Sequence, residues 1–315
     1  MIKISEPWIG EKEKEEVIKV IESGNLVQGE KVKEFEDRFK EYLGVKHAIA
    51  VNSGTAALHL ALLSLGLKKD DEVITSAFSF IASANSVRFC NGKPVFVDVK
   101  DDYNIDVSKI KEKITDKTKV IMPVHLYGNP CDMDEIMKIA KENNLKVVED
   151  CCQAHGSEYK GKKVPVSDVG CFSFYASKNM TTGEGGMIVT NNDGIAEKCR
   201  LLRNHGSKKK YRHEILGYNY RMMDLNAAIG IEQLKRLDEF NKKRIENAMY
   251  YNKNLGNVVK PVIEKNKKHV FHQYTIRVKD RDEVIKKLEE KGIGYGVYYD
   301  KPIYKQRVYE DEYEE

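Results

Sequence analysis

Apolar positions near the start of the chain recur at helical spacing. Val17, Ile18, Val20 and Ile21 stand among charges over residues 11–23, and Val32, Phe35, Phe39 and Leu43 repeat the pattern over residues 30–43, which predicts two surface helices. From His47 the pattern changes to short β-branched runs at residues 47–51, 72–76, 94–99, 120–125, 146–150, 170–175 and 187–190. Helical patterns lie between several of them, at residues 55–65, 80–90 and 132–144. Short strands alternating with helices predict an α/β domain with a mostly parallel sheet. The later runs leave little room for crossover helices, so part of the sheet is expected to be antiparallel. A helix over residues 195–203 and a long one over 222–255 follow, the second interrupted only by Gly230. Strands at 270–278 and 295–299 flank a helix at 282–291, read as a smaller α/β unit. The acidic end from Tyr309 has no apolar face and is expected to fray.

Composition narrows the function classes. The chain has 315 residues, long enough for two domains, with 41% hydrophobic and 32% charged residues. Lys+Arg number 53 against 49 Asp+Glu, a formal +4 spread along the length, without the basic block of a nucleic-acid binder. No apolar run approaches the roughly 18–20 residues of a membrane span, and no export signal is evident, so a cytoplasmic protein is expected. Six Cys in so long a chain form neither a disulfide framework nor a CxxC zinc pattern. Cys151 and Cys152 read as buried thiols, and no metal site is expected.

Three segments carry candidate chemistry. In Val51-Asn52-Ser53-Gly54-Thr55-Ala56-Ala57-Leu58 a strand gives way to a polar turn and a helix. Ser53 or Thr55 can cap that helix, its free N–H groups favour an anion, and Gly54 lets the backbone approach it; an ordinary capped turn fits the motif equally well. In Val147-Val148-Glu149-Asp150 an apolar strand ends in two carboxylates, where ligands of open α/β sheets collect. Asp150 there needs a cationic partner or hydrogen-bond donors, a structural salt bridge being the plain alternative, and Glu149 faces the other way. Lys178 follows an aromatic strand and precedes a Gly-rich turn. A lysine held out of water loses its charge and becomes a nucleophile for carbonyls, although most lysines are solvated surface charges. A phosphate cradle, a strand-end acid and an uncharged Lys together are what pyridoxal phosphate requires.

The run Asn52–Leu62, Pro123-Val124-His125-Leu126-Tyr127-Gly128, Glu149-Asp150 with Gln153-Ala154-His155-Gly156, Phe172-Ser173-Phe174 with Lys178 and Gly183-Glu184-Gly185-Gly186, Gly217-Tyr218-Asn219-Tyr220-Arg221 and His272-Gln273-Tyr274 together resemble the DegT/DnrJ/EryC1/StrS family of sugar aminotransferases. The resemblance runs in order from about Ile4 to Pro302 and implies the pyridoxal-phosphate-dependent transferase fold type I. That fold is a large α/β/α domain with a mixed, mostly parallel sheet plus a smaller C-terminal α/β domain, here divided as residues 1–235 and 236–315. By resemblance Lys178 is the Schiff-base lysine and Asp150 the partner of the pyridine nitrogen. Gln153 contacts the phenolic oxygen, Gly54, Thr55 and Ser173 hold the phosphate, and Phe80 stacks on the ring. Asn219 reaches the phosphate of the neighbouring subunit, which implies a homodimer with shared sites. The implied reaction moves an amino group from glutamate to a nucleotide-linked keto sugar.

The sequence also departs from the family pattern. Cys151 and Cys152 replace small residues, Asn129 stands where Gln is frequent, and Pro302-Ile303-Tyr304 replaces Pro-Leu-His. Members usually continue past the position of Glu315, so an incomplete small domain is expected. Rival readings are a sugar dehydratase, which Lys178 argues against because a His replaces that Lys in such members, an enzyme of a non-sugar cyclic ketone, and a non-catalytic regulatory protein that binds the cofactor.

Overall fold

The computed structural model describes residues 1–313. Seven strands form the central sheet: β1 (His47–Val51), β2 (Glu72–Ser76), β3 (Lys93–Val97), β4 (Thr118–Met122), β5 (Lys146–Asp150), β6 (Val169–Ser173) and β7 (Gly186–Thr190). Their order is β1-β7-β6-β5-β4-β2-β3. Neighbours from β6 through β3 run parallel, whereas β7 is antiparallel to both β6 and β1. The antiparallel component expected from the crowded later strands is therefore β7. Its register aligns Val51 with Gly186 and Gly186 with Ser173, while Cys171 aligns with Asp150. The carboxyl ends of β1, β6 and β5 thus emerge side by side.

Alternation along the strands feeds two apolar cores, one on each face of the sheet. On β1, Ala48 and Ala50 join one core and Ile49 and Val51 the other; on β7, Met187 and Val189 oppose Ile188. Helices α3 (Gly54–Ser64), α4 (Ala82–Phe89) and α6 (Asp193–Arg203) lie on the side of Ile49 and Ile188. Helices α2 (Glu30–Leu43), α5 (Met133–Glu142) and the long α7 (Asp224–Asn254) cover the other side, and α1 (Glu11–Ser23) packs on α7. Phe35 and Phe39 of α2 meet Phe172 and Phe174 edge-on or tilted, with centroids 5.1–5.4 Å apart. The N-cap of α2 is Gly29, which offers no side chain. Asp224, at the start of α7, accepts from the amides of Gly29 (2.8 Å), Lys31 (3.2 Å) and Val32 (3.0 Å), supplying from a distant part of the chain the acceptor the helix start needs.

Past Asn254 the structure departs from the expected pattern. Helix α8 (Arg281–Glu290) forms close to where periodicity places it, but the expected strands at 270–278 and 295–299 do not. Phe271 has φ 46°, left-handed backbone that no strand tolerates. Among the described residues, strand pairing past Asn254 is limited to Lys267–Lys268 against Glu158–Tyr159 and to isolated bridges of Val259 with Arg277 and Ile2 with Ile293. The acidic end does not fray over its described part. Tyr309 is buried against Ala84, Ile303, Phe96 and Tyr313, its hydroxyl donates to Asn85 Oδ1 (2.8 Å), and Arg88 grips Glu312 through both terminal nitrogens (2.8 and 2.9 Å). Two tyrosines among the acids provide an apolar face that charge counting hides. All six cysteines are free and only Cys152 is not fully buried. Among the described residues no helix is long and apolar enough to cross a membrane.

Candidate active site

Three strand ends converge on one spot. Beyond β1, Ser53 caps α3 by accepting from the Ala56 amide (3.1 Å), and the Gly54 and Thr55 amides stand ahead of the first intrahelical donor, Ala57. A Cβ on Gly54 would lie 2.6 Å from Ser173 Cβ and 3.1 Å from Cys152 Sγ, so the α3 turn sits directly on the ends of β6 and β5. Gly186 permits this approach, since a Cβ there would stand 2.3 Å from the Ser53 carbonyl oxygen. Half-buried Thr55 and buried Ser173 complete a small polar cradle at a helix N-terminus, a setting that suits a phosphate.

Asp150 is buried at the end of β5. Its Oδ2 accepts from the Ser83 hydroxyl (2.8 Å) and its Oδ1 from the Cys152 amide (3.1 Å). Among the described residues it forms no ion pair, so the salt bridge weighed from sequence is not made. Ser83 was not picked out from sequence; it lies in the first turn of α4, and its pairing with Asp150 is set by how that helix docks on β5. Glu149 does face the other way: its Oε2 meets His125 Nε2 at 2.8 Å and its Oε1 accepts from the Val166 amide (2.8 Å). His125, Glu149 and Cys151 offer ligand atoms within 4.8 Å of one another. Both ring nitrogens of His125 and both oxygens of Glu149 already have protein partners, which makes the group a structural clamp.

Lys178 is half-buried, and loss of hydration at its ammonium holds its pKa below the ordinary lysine value, against the opposing pull of Cys152 and Asp150. Among the described residues its Nζ has no hydrogen-bond or ion-pair partner. His155 and His272 lie within electrostatic reach of it, and burial keeps both neutral, His155 down to about 3. Gln153 is buried; its Oε1 accepts from the Tyr127 amide (2.7 Å), and its Nε2 lies 3.3 Å from the Tyr299 hydroxyl. Tyr299 packs edge-on to Phe78 (5.7 Å) and tilted to Phe80 (6.5 Å). Phe80 itself is 55% exposed. Tyr299 was not singled out from sequence, because only folding brings it next to Gln153. Asn219 does not join this group. It is exposed, with its backbone bridged to Asn204, and among the described residues its side chain makes no hydrogen bond.

These residues suit pyridoxal phosphate. A buried carboxylate served only by neutral donors can accept a cationic ring nitrogen, an unpaired lysine biased toward its neutral form can bond a carbonyl carbon, and the α3 cradle can take a phosphate.

The DegT/DnrJ/EryC1/StrS aminotransferase family model matches residues 7–315. GDP-perosamine synthase of Caulobacter vibrioides is 44% identical over 306 residues, spanning 93% of this chain and 82% of the relative. Among solved structures, DesV of S. venezuelae aligns with a TM-score of 0.94 at 36% identity, covering 96% of this chain and 83% of its own. NtdA of Bacillus subtilis, with bound cofactor PMP, aligns at 0.88 and 36% identity over 96% of this chain and 73% of its own. The expected fold class is thus met, and the family depends on pyridoxal phosphate. The chain belongs to the DegT/DnrJ/EryC1/StrS aminotransferase family.

Proposed function

We propose that this aminotransferase moves an amino group from glutamate to a nucleotide-linked keto sugar, with Lys178 as the cofactor lysine and proton carrier. The observation that carries the reading is the pairing of an unpartnered, partly desolvated Lys178 with Asp150, a buried acid that has only neutral donors. Bound pyridoxal phosphate would supply an electron sink for the carbon that loses its proton. The chain's own groups do the rest. The Asp150 carboxylate would face the ring nitrogen and favour its protonated form. The amides of Gly54 and Thr55 and the Ser173 hydroxyl would hold the phosphate, Gln153 would donate to the phenolic oxygen, and Phe80 would cover one face of the ring. Lys178 Nζ, its pKa lowered by burial, would take the proton from the donor's α-carbon and hold it for return, and would act in the opposite sense for the sugar. The name of the Caulobacter relative, which includes a nucleoside diphosphate, supports the substrate class.

The same reading makes the protein a homodimer in which Asn219 serves the partner's phosphate cradle. The exposure of Asn219 and of Tyr211, Leu216 and Met223 around it supports this. It divides the chain near residue 235, within α7, into a cofactor domain and a smaller C-terminal unit. One set of experiments covers these points. Glutamate should shift the absorbance of the protein loaded with pyridoxal phosphate, and a panel of nucleotide keto sugars should then yield one aminated product by mass. Absence of any glutamate-dependent shift defeats the reading. For the shared site, Lys178→Ala protomers are mixed with Asn219→Trp protomers. Activity should partly return, and no recovery after verified subunit exchange removes Asn219 from the partner's site.

A further inference from the structure

Helix α7 takes no part in the chemistry above, yet one of its faces is built around the Lys178 loop. Asn226 Nδ2 donates to the Thr182 carbonyl (2.7 Å), Gln233 Oε1 accepts from the Thr181 amide (3.4 Å), and Asn241 Oδ1 accepts from Asn179 Nδ2 (2.8 Å). The three amides recur about every two helical turns and so share one face. They grip the loop in reverse order, so the loop runs antiparallel to the helix. Gly230 lies between the first two contacts, and a Cβ there would stand 2.8 Å from Thr182 Cγ2, so helix and loop touch with no slack.

The grip is tightest beside Lys178. Asn179 directly follows it and is buried; besides Asn241 it donates to the Val270 carbonyl (3.3 Å), and its Oδ1 meets His272 Nδ1 at 3.1 Å. Asn241, also buried, turns its own Nδ2 to the His155 carbonyl (2.7 Å), two residues beyond Gln153. One side chain therefore joins the loop that carries Lys178 to the loop that follows Asp150. Within the loop, Lys178 N donates to the Tyr175 carbonyl in a single turn (2.9 Å), Tyr175 bridges Gly183, and the Thr182 amide and Thr181 hydroxyl both donate to the Phe174 carbonyl (3.0 Å each), so next to the lysine Asn179 is the loop's tie to α7. Buried amides with all these partners are costly to displace. Gln233 is anchored from behind by Glu13 Oε1 (2.7 Å) and the Trp8 carbonyl (2.9 Å), which ties the stripe to the N-terminal segment.

We infer that the amide stripe Asn226–Gln233–Asn241 is the positioning element of Lys178, with Asn241 setting the distance between the lysine amine and the Asp150–Gln153 loop. None of the three touches reacting atoms; they act through Asn179, Thr181 and Thr182. The inference rests on the reading of Lys178 as the cofactor lysine, and proton transfer at that amine is the step most sensitive to displacement.

The test uses the full chain carrying Asn241→Leu, which removes both of its hydrogen bonds at similar size, and Asn226→Ala at a half-buried position that threatens folding less. Asn254→Ala, at the exposed end of the same helix, is the control. Three quantities are read: the pH midpoint for acetylation of Lys178 by acetic anhydride in cofactor-free protein, by peptide mass; the absorbance band of the protein loaded with pyridoxal phosphate and its pH titration; and kcat against KM for glutamate. For Asn241→Leu the acetylation midpoint should move up toward that of an ordinary lysine, the band titration should shift, and kcat should fall about 10–100-fold with KM within about twofold. Asn226→Ala should shift the same quantities in the same direction and by less, and the control should shift none. Lower thermal stability with unmoved midpoint, band and kcat reduces the stripe to a structural anchor and overturns the inference. If Asn241→Leu does not fold, an unmoved Asn226→Ala is decisive in the same way. The underlying reading fails separately: it fails if borohydride fixes no pyridoxal phosphate on Lys178 of the unaltered protein, while the acetylation midpoint still reports on the stripe.

Discussion

The loops after β1, β5 and β6 and the segment from Tyr295 to Tyr304 meet at the candidate site, where Gln153 faces Tyr299, but are held by different forces. The first group is tied to the sheet within a few residues of each strand end: Gly54 on Ser173, Ser53 over Gly186, Asp150 to Ser83 and to the Cys152 amide. The second reaches in through side chains and a few isolated hydrogen bonds, without strand pairing. The Tyr127 hydroxyl donates to the Tyr298 carbonyl, Gln153 Nε2 lies 3.3 Å from the Tyr299 hydroxyl, and Ile303 N donates to the Ala77 carbonyl (2.8 Å). Helix α8, which leads into it, buries no residue. One wall is positioned by backbone ladders and short turns, where small displacements are costly. The other is aromatic and adaptable. A reaction that needs atoms held to fractions of an ångström is better served by the first kind of wall than by the second.

The sharpest way to break this comparison is at Lys178. Lys178→Ala should remove multiple-turnover transamination altogether while circular dichroism and melting remain those of a folded protein; measurable turnover would take the chemistry off the sheet side. Asp150→Asn should keep the cofactor bound and slow the glutamate half-reaction by about 10²–10³-fold, the usual worth of a preorganised electrostatic contact. A rate like that of the unaltered protein in stopped flow would make Asp150 a purely structural acid. Gly186→Ala addresses rigidity: the new methyl meets backbone, which cannot swing aside, and should cost about 1–3 kcal/mol in denaturant unfolding, in the range for overpacking. Lys178→Met tests desolvation. The folded pKa of Lys178 lies below the unfolded value of about 10.4, so the folded state binds fewer protons, and the penalty for a buried ammonium is full at low pH and gone above the unfolded pKa. Without cofactor, Lys178→Met should melt higher than the parent at pH 7, and the gap should close as pH rises toward 11. The smallest effect is expected on the aromatic wall, where Tyr299→Phe removes one long hydrogen bond and should change cofactor affinity by only about two- to tenfold.

The sheet side was legible because its strands are buried on both faces and read as unbroken apolar runs. Asp150 stands at the end of a run predicted to its last residue, whereas Ser173 rests on the family resemblance, since the run read as 170–175 overshoots the end of β6 by two residues. Ser83 and Asn241 could not be placed, since their partners are set by how α4 and α7 dock. The strand expected at 270–278 shows a different limit. Val270, Phe271 and His272 are all buried, and their apolar pattern records inward packing along an irregular path that turns left-handed at Phe271. Tyr295–Tyr299 likewise read as a strand, yet Tyr298 and Tyr299 are engaged by Tyr127 and Gln153 instead of a neighbouring strand. Tyr309 was missed because five acids among the last seven residues mask it in sequence.

The tail around Tyr309 has a consequence for the chain's behaviour in a crowded solution. Strand β3 ends the row of seven, and its outer backbone groups are a ready template for a strand of another molecule. The tail occupies that margin. The Tyr313 hydroxyl donates to the Pro94 carbonyl (2.5 Å), the rings of Tyr309 and Tyr313 pack on Phe96, and Glu312 holds Arg88 behind them. The acids that made this segment look like a loose end give it the charge that repels a second chain, and its tyrosines fasten that charge in place. Residues Tyr309 to Tyr313 thus act as a selvedge along β3, a border that keeps an open sheet from knitting to its neighbours.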